Sequence, residues 1–318
     1  MAKVIRIHEH GGPDVLRLEA AEIAEPGPGQ AKIRQEAIGV NVFDTMLRDG
    51  SVDSPLPLVL GSEAAGVVEA VGPGTAGFSV GDRVGYFASA GAYATERLID
   101  ADSLIALPQD ISHEQAAGFL AKGLTAWMGI RALHRLTPGD VILVQGASGN
   151  VGSILSRWAR ASGATVIGVA GSNSKLEKVQ AGADHAVFAQ APDALESIRA
   201  VAPEGVDVVF DFVGRATAKL STAAVRAGGT IAAIGAASGQ SNFDGADLSR
   251  RDVNVVSGSV PQYVNASTVG KASAQLFQAI RDGVFKDLNV SRYAFVDAAR
   301  AHEDMAARKL AGLAVLLV

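Results

Sequence analysis

The 318-residue chain contains no cysteine. That absence excludes disulfides, thiol nucleophiles and thiolate metal sites, and leaves the redox compartment open. Aromatic residues make up only 5% of the sequence and form no stripe interleaved with basic residues, which argues against RNA binding. Lysine and arginine (28) are fewer than aspartate and glutamate (33), so neither nucleic acid nor an anionic membrane surface is favoured as a partner. No apolar run is long enough to span a bilayer. The start, Met1-Ala-Lys-Val-Ile-Arg-Ile-His-Glu-His10, is too charged for a signal peptide, and the cytoplasm is the expected compartment. The histidines show no metal-ligand spacing. His8 and His10 would share a face if extended but lack a third ligand, and His113 and His134 read as helix-end residues. Ser148 and Ser156 have no partnered base, which disfavours a serine hydrolase.

What is present is an apolar fraction of 48% with 19% charged residues, the balance of a folded α/β enzyme, in a chain long enough for two domains. The organising stretch is Val141-Ile-Leu-Val-Gln-Gly-Ala-Ser-Gly-Asn-Val-Gly152. Val141 to Val144 read as a buried strand, Gly146, Gly149 and Gly152 punctuate a tight turn, and Ile154 to Ala161 read as an amphipathic helix. Strand, glycine turn and helix together form the phosphate-binding start of a doubly wound dinucleotide fold, where free N–H groups and the positive end of the helix dipole hold a pyrophosphate. Gly149 lets the backbone approach the phosphates, and Gly152 lets helix pack on strand. Ala147 stands where the usual first glycine would be.

Before this stretch, short segments read as strands: Val4 to Ile7, Val15 to Glu19, Lys32 to Ala37, Gly66 to Val71, Asp82 to Phe87 and Ala92 to Leu98. Ser112-His-Glu-Gln115 is a capping-box spacing that opens a helix from His113 towards Leu133, with an interruption expected near Gly123. After the glycine turn, strands are expected at Thr165–Val169, Ala186–Phe188, Val206–Asp211, Thr230–Ile234 and Val253–Ser257, making six with the first. Helices are expected between them at Lys175–Ala181, Asp193–Ala200 and Ala216–Ala227. Further helices are expected around Ser267–Asp282 and Asp297–Lys309, then a strand at Ala314–Leu317 that packs back on the N-terminal domain. No internal repeat is visible.

The second strand of this set chooses the dinucleotide. An NAD site places an acid about 20 residues beyond the glycine turn, to bind the ribose 2′-hydroxyl. Here the chain reads Val169-Ala-Gly-Ser-Asn-Ser-Lys175, with no acid. Gly171, Ser172, Asn173 and Lys175 would instead receive a 2′-phosphate, and the expected cofactor is NADPH. Ser174 and Glu177 have the spacing of another capping box, so Ser174 is read as a helix cap.

Several stretches then fit one pattern: His10-Gly-Gly-Pro-Asp-Val-Leu16, Ala37-Ile-Gly-Val-Asn-Val-Phe-Asp-Thr45, Gly61-Ser-Glu-Ala-Ala-Gly-Val-Val-Glu-Ala-Val-Gly72, Val80-Gly-Asp-Arg-Val84, Ala121-Lys-Gly-Leu-Thr125, the glycine turn, Asp211-Phe-Val-Gly214 and Arg300-Ala-His-Glu303. Together they resemble the medium-chain dehydrogenase/reductase superfamily, and within it the zinc-independent quinone oxidoreductases related to zeta-crystallin. The resemblance implies a GroES-like, partly β catalytic domain (residues 1–121 and 260–318) and a Rossmann domain with a doubly wound, parallel six-stranded sheet (residues 122–259). It implies NADPH in the cleft and a homodimer. Zinc-dependent relatives carry a cysteine at the position of Asn41 and a histidine at that of Ser62, so no metal is expected here.

By position in this pattern, Asn41 and Thr125 would approach the nicotinamide ribose and adjoining phosphate, and Gly149, Asn150 and Val151 would line the pyrophosphate. Phe212, Val213, Gly235, Ala236, Ser257 and Gly258 would border the adenosine or nicotinamide side. Related quinone reductases often have tyrosines where this chain has Met46, Val52 and Ala189, which leaves the substrate open. The implied reaction is hydride transfer to a quinone or to a C=C conjugated to a carbonyl. Asn41 or Thr125 would donate a hydrogen bond to the carbonyl oxygen, and the proton would come from solvent. Asn41 reads equally as a helix N-cap, Asp44 as a brace of that helix, and Lys122 as a surface lysine. The alternatives are an enoyl-thioester reductase and a cofactor-binding, non-catalytic relative of structural or RNA-binding function.

Overall fold

The computed structural model describes residues 1–310 and 312–318. They divide into two compact units, Met1–Ala121 with Asp287–Val318, and Lys122–Lys286.

The first unit is built from β1 (Ala2–Ile7), β2 (Arg17–Ala21), β3 (Gln30–Gly39), α1 (Val42–Asp49), β4 (Leu58–Val59), β5 (Ala64–Val71), β6 (Arg83–Tyr86), β7 (Glu96–Asp100), β8 (Ile105–Ala106) and the start of α2 (His113–Trp127). Ser112 and Gln115 close the expected capping box at the start of α2: each backbone N–H donates to the other's side-chain oxygen, at 2.9 and 3.0 Å. The helix passes Gly123 unbroken, contrary to the sequence reading. Gly123 serves packing, because a Cβ there would run into the Leu276 side chain. Backbone of π-helical type continues over Met128–Leu133.

The second unit contains β9 (Val141–Gln145), α3 (Asn150–Ala161), β10 (Thr165–Ala170), α4 (Leu176–Gln180), β11 (His185–Phe188), α5 (Ala194–Val201), β12 (Val206–Asp211), α6 (Ala218–Ala224), β13 (Val225–Ala233), α7 (Gly245–Arg250), β14 (Asn254–Ser257), α8 (Val260–Tyr263) and α9 (Val269–Arg281). Its six strands pair in parallel in the order β11-β10-β9-β12-β13-β14. Apolar runs such as Val141–Val144 and Val208–Phe210 suit strands covered on both faces, and Val208, Val209 and Phe210 are fully buried. The chain leaves β9 in one direction and returns to β12 on its other side, so the strand order reverses at the C-terminal end of β9, where such sheets open a crevice for ligands.

The chain then returns to the first unit with β15 (Val290–Ala294), α10 (Ala298–Ala306) and β16 (Leu313–Leu317). β16 pairs antiparallel with β3, so the last strand does pack on the N-terminal segment. The large sheet of this unit runs β15-β16-β3-β5-β6-β8, with β7 also on β3, beside a small sheet β2-β1-β4. Ile7, Ile33, Ile38 and Leu60 are fully buried in its core. Each contributes about 1.5–3 kcal/mol through lost contact with water.

Several expectations are corrected. Residues 260–286 group with the second unit, not with the catalytic one. The indole N–H of Trp127 donates to Gln275 at 2.6 Å, and Trp158 meets Phe285 edge-on, which ties α9 and its sequel there. The helix expected over 216–227 spans only Ala218–Ala224, because the chain pairs with β12 from Val225 onward. The strand expected from Ala92 starts at Glu96, where pairing with β3 begins. Lys122 is buried, with 4% of its surface exposed, and is not a surface lysine.

Candidate functional site

In the second unit the site grows from the end of β9. Gly146 takes a positive φ of 74°, which turns the chain sharply, and its carbonyl accepts the Gly149 N–H at 2.9 Å. α3 begins at Asn150, four residues earlier than the amphipathic pattern suggests, with Gly149 as N-cap. The first intrahelical bond is donated by Ser153 to the Gly149 carbonyl, so the N–H groups of Asn150, Val151 and Gly152 have no carbonyl to serve within the helix. No acidic residue occupies this first turn. A Cβ on Gly152 would collide with the Gly146 carbonyl, so this turn can close only around glycine. The cradle fits an anionic diphosphate.

The neighbouring strand ends complete this half. Gly146 lies against Val213 and Phe212, and Gly235 against the Phe212 backbone, so these four sequence-assigned positions are brought together, with Ala236 beside Gly214. The turn Phe212-Val213-Gly214 is held by Asp211. Its buried carboxylate accepts the Val213 and Gly214 N–H groups, both at 2.9 Å, and the hydroxyls of Thr217 and Ser221. Ser257 and Gly258 lie at the end of β14, the sheet edge, two strands from β12. The Ser257 carbonyl accepts the Tyr263 hydroxyl at 3.3 Å.

Beyond β10 the structure corrects the reading of Ser174. The turn Asn173–Lys175 is 3-10 helical with Ser172 as its N-cap, and no side-chain cap bond forms there or at the start of α4. The Ser172 hydroxyl meets that of Ser174, at 3.1 Å. Gly171 has open space where a Cβ would stand. The sequence reading missed Lys178, three residues beyond Lys175 and so on the same helical side. Burial pushes its ammonium below the usual lysine range, and the charges of Lys175 and Arg157 push it further. A patch of like charges in partly dry surroundings fits a phosphate dianion, which would relieve the repulsion.

In the first unit the site is centred on Asn41, the half-buried N-cap of α1. Asn41 and Asp44 form a capping box in which the Asp44 carboxylate accepts the Asn41 backbone N–H at 2.8 Å, so the expected roles of cap and brace are both present. The Asn41 side-chain amide donates to Glu63 at 3.0 Å. Asp44 and Glu63 are both fully buried. Asp44 lies 3.4 Å from the Tyr93 hydroxyl, which contacts His302 at 2.9 Å, and the other ring nitrogen of His302 accepts from Arg48 at 3.1 Å. Burial first, then the neighbouring Arg48 charge, lower the His302 pKa to about 4. Burial, together with Asp44, raises the Tyr93 phenol well above its ordinary value. Thr125, which belongs to the second unit, is partly exposed in the last turns of α2.

Among the described residues no group of three His, Cys, Asp or Glu side chains is placed to hold a metal ion, and no helix is long and apolar enough to cross a membrane. His8 and His10 lie beyond the end of β1 and have different partners, Glu19 and the Leu47 carbonyl.

Residues 27–109 match the alcohol dehydrogenase GroES-like domain, and residues 150–278 match the zinc-binding dehydrogenase family. The chain is 38% identical over 325 residues to a 2-haloacrylate reductase of a Burkholderia species, covering 98% of this chain and 97% of that one. It is 36% identical over 329 residues to quinone oxidoreductase 1 of Escherichia coli K12, covering both chains completely. The solved structure of Escherichia coli quinone oxidoreductase complexed with NADPH superimposes with a TM-score of 0.92 at 34% identity, covering 99% of this chain and 100% of the other. With a GroES-like β unit, a six-stranded Rossmann sheet, and asparagine and serine at the positions zinc-dependent relatives give to metal ligands, the chain belongs to the zinc-independent quinone oxidoreductase family of medium-chain dehydrogenases/reductases.

Proposed function

We propose that the protein is an NADPH-dependent oxidoreductase acting on a quinone or an α,β-unsaturated carbonyl compound. The observation that carries this reading is the acid-free end of β10, where Ser172, Asn173, Lys175 and Lys178 gather hydroxyl, amide and ammonium groups beside a glycine-built anion cradle. Bound NADPH supplies the hydride; the protein holds and orients the reactants. The N–H groups of Asn150, Val151 and Gly152 hold the diphosphate, with Gly146 and Gly149 shaping the turn. Gly171, Ser172, Asn173 and Lys175, joined by Lys178, hold the 2′-phosphate. Phe212, Val213, Gly235, Ala236, Ser257 and Gly258 border the adenosine or nicotinamide side. Asn41 and Thr125 contact the nicotinamide ribose and adjoining phosphate, and an N–H or O–H from one of them reaches the substrate carbonyl directly or through water. Solvent supplies the proton.

Beside Asn41, α1 exposes Val42 (59%), Phe43 (48%) and Met46 (37%). This apolar face supports a flat, apolar acceptor such as a quinone. The haloacrylate reductase relative supports a second reading, reduction of an activated C=C bond, to which enoyl thioesters also belong. Rates of NADPH oxidation against ortho-quinones, para-quinones, enones, haloacrylates and enoyl thioesters distinguish the two. Inactivity throughout, with NADPH still bound, would favour a non-catalytic relative.

We further propose a homodimer formed through β14. This strand is a sheet edge with Asn254 and Val255 exposed, and an unpaired row of backbone groups invites an identical strand.

A further inference from the structure

We propose that the second unit holds a further binding site, for a small monocarboxylate, in a cavity of about 260 Å³ bordered by the π-helical stretch Met128–Leu133, the end of α3 and α9. Every residue that lines it belongs to Lys122–Lys286. α3 frames the anion cradle with its first turn, while Ala161 and Ser162 at its other end line this cavity. The length of α3, about 18 Å, separates the two.

The cavity's donors select the ligand. Arg131 stands in the π-helical stretch, a winding rare in proteins and frequent at functional sites. Its guanidinium carries more N–H groups than its neighbours use, and the bonds it does make are long: Nη1 to the Leu136 carbonyl at 3.5 Å and Nη2 to the Ser162 hydroxyl at 3.3 Å. Burial lowers its pKa, the mark of a charge short of water. Gln275 supplies a second donor. The Trp127 indole N–H can only donate, and the Gln275 side-chain oxygen accepts it at 2.6 Å. That bond orients the amide and leaves its NH2 end, which has no partner among the described residues, for the cavity. A guanidinium fork and an amide NH2 on one cavity call for a ligand that only accepts, and a planar carboxylate matches the fork with paired bonds. Trp158, Ala279 and Val284 in the lining suit a short hydrocarbon or aromatic body. Asp282, exposed and bonded to Gln278 at 2.8 Å, lines the same cavity, and its charge disfavours a second carboxylate on the ligand.

The chain's two tryptophans provide the readout, since Trp158 lines the cavity and Trp127 orients Gln275. The full chain labelled with 15N-tryptophan is titrated with sodium butyrate and sodium benzoate, each against its neutral amide and against sodium chloride. The two indole N–H signals are followed, assigned with Trp158→Phe. We expect the carboxylates to shift the Trp158 signal saturably in the millimolar range, and the amides and chloride to leave it in place. Arg131→Gln, which removes the fork, and Gln275→Glu, which still accepts from Trp127 but repels a carboxylate, should each weaken binding about tenfold or more. Should Arg131→Gln fail to fold, Gln275→Glu gives the answer alone. No saturable shift from either carboxylate, or equal shifts from the amides, overturns the proposal. So does a fall in thermal midpoint with carboxylate affinity unchanged, which would make Arg131 a brace for the end of α3 only. Saturating NADPH should leave the shifts intact; competitive loss would put the carboxylate in the nucleotide cradle and refute the further site.

Discussion

The Nε2 of His302 lies 2.9 Å from the Tyr93 hydroxyl, across 209 residues of sequence, and this contact fixes the protonation of a buried chain of polar groups. Arg48 can only donate, so the Nδ1 of His302 accepts and the ring proton sits on Nε2, where it donates to Tyr93. The Tyr93 hydroxyl proton is then left for Asp44, the residue that brackets Asn41. A proton added at Nδ1 would face the Arg48 N–H.

Acid stability follows from this. The folded pKa of His302 is about 4, below its ordinary 6.5, so the unfolded chain binds more protons in between. The contribution is complete above pH 6.5 and is lost as pH falls towards 4, amounting to roughly 3 kcal/mol at most. His302→Gln keeps an acceptor for Arg48 and a donor for Tyr93 but does not titrate. Urea midpoints at pH 7, 5.5 and 4.5 should fall less steeply for this variant than for the wild type. Parallel slopes would disprove the assignment.

Lys175→Ala and Lys178→Gln should each weaken NADPH about tenfold or more and leave NADH within about twofold, because only NADPH carries the extra phosphate. Isothermal titration with both nucleotides checks this. Equal losses for the two would mean that the lysines do not read the 2′-phosphate.

The strand–turn–helix unit and the six-stranded sheet were legible in the sequence because their signals are local: apolar runs, glycines and helical spacing over adjacent residues. Ser174 was read as a helix cap because Glu177 stands three residues on, whereas the 3-10 turn makes Ser172 the N-cap, which spacing along the chain does not reveal. β15 went unread because Val290-Ser-Arg-Tyr-Ala294 is half exposed and has no apolar run; its pairing with β16 makes it a strand. Glu63 stood inside a recognised motif, but its bond to Asn41 depends on sheet register, which spacing along the chain does not reveal.

If β14 forms the dimer contact, Val255→Asp should yield monomers with the second unit still folded, because a charge at the centre of paired edges is buried without a partner. Sedimentation of wild type and variant measures this. A monomeric wild type would remove the dimer from the account.

Asp211→Asn tests the support beneath the Phe212-Val213-Gly214 turn. The carboxylate serves two backbone N–H groups and two hydroxyls in a site without solvent exposure. The amide nitrogen would have to take the Oδ2 position, removing the acceptor to which the Thr217 and Ser221 hydroxyls donate while Ser221 already accepts from Gln145, at a cost of about 2–3 kcal/mol. The thermal midpoint should fall by roughly 5–15 °C, and NADPH affinity should fall with it as the turn loosens. A midpoint within a degree of wild type would show that the turn holds itself.

Gly152→Ala separates the anion cradle from the rest of the fold. The added Cβ meets the Gly146 carbonyl, whose position is set by the positive φ of Gly146 and by its bond from the Gly149 N–H. Relief requires the turn to open or the start of α3 to move away from β9. Either motion spoils the alignment of the Asn150, Val151 and Gly152 N–H groups, which act on the diphosphate together. NADPH and NADH affinity should therefore both fall, by about tenfold or more, in contrast to the NADPH-selective loss from Lys175→Ala. Titration of the variant with both nucleotides distinguishes these patterns. Undiminished binding of either would show that the diphosphate is held elsewhere.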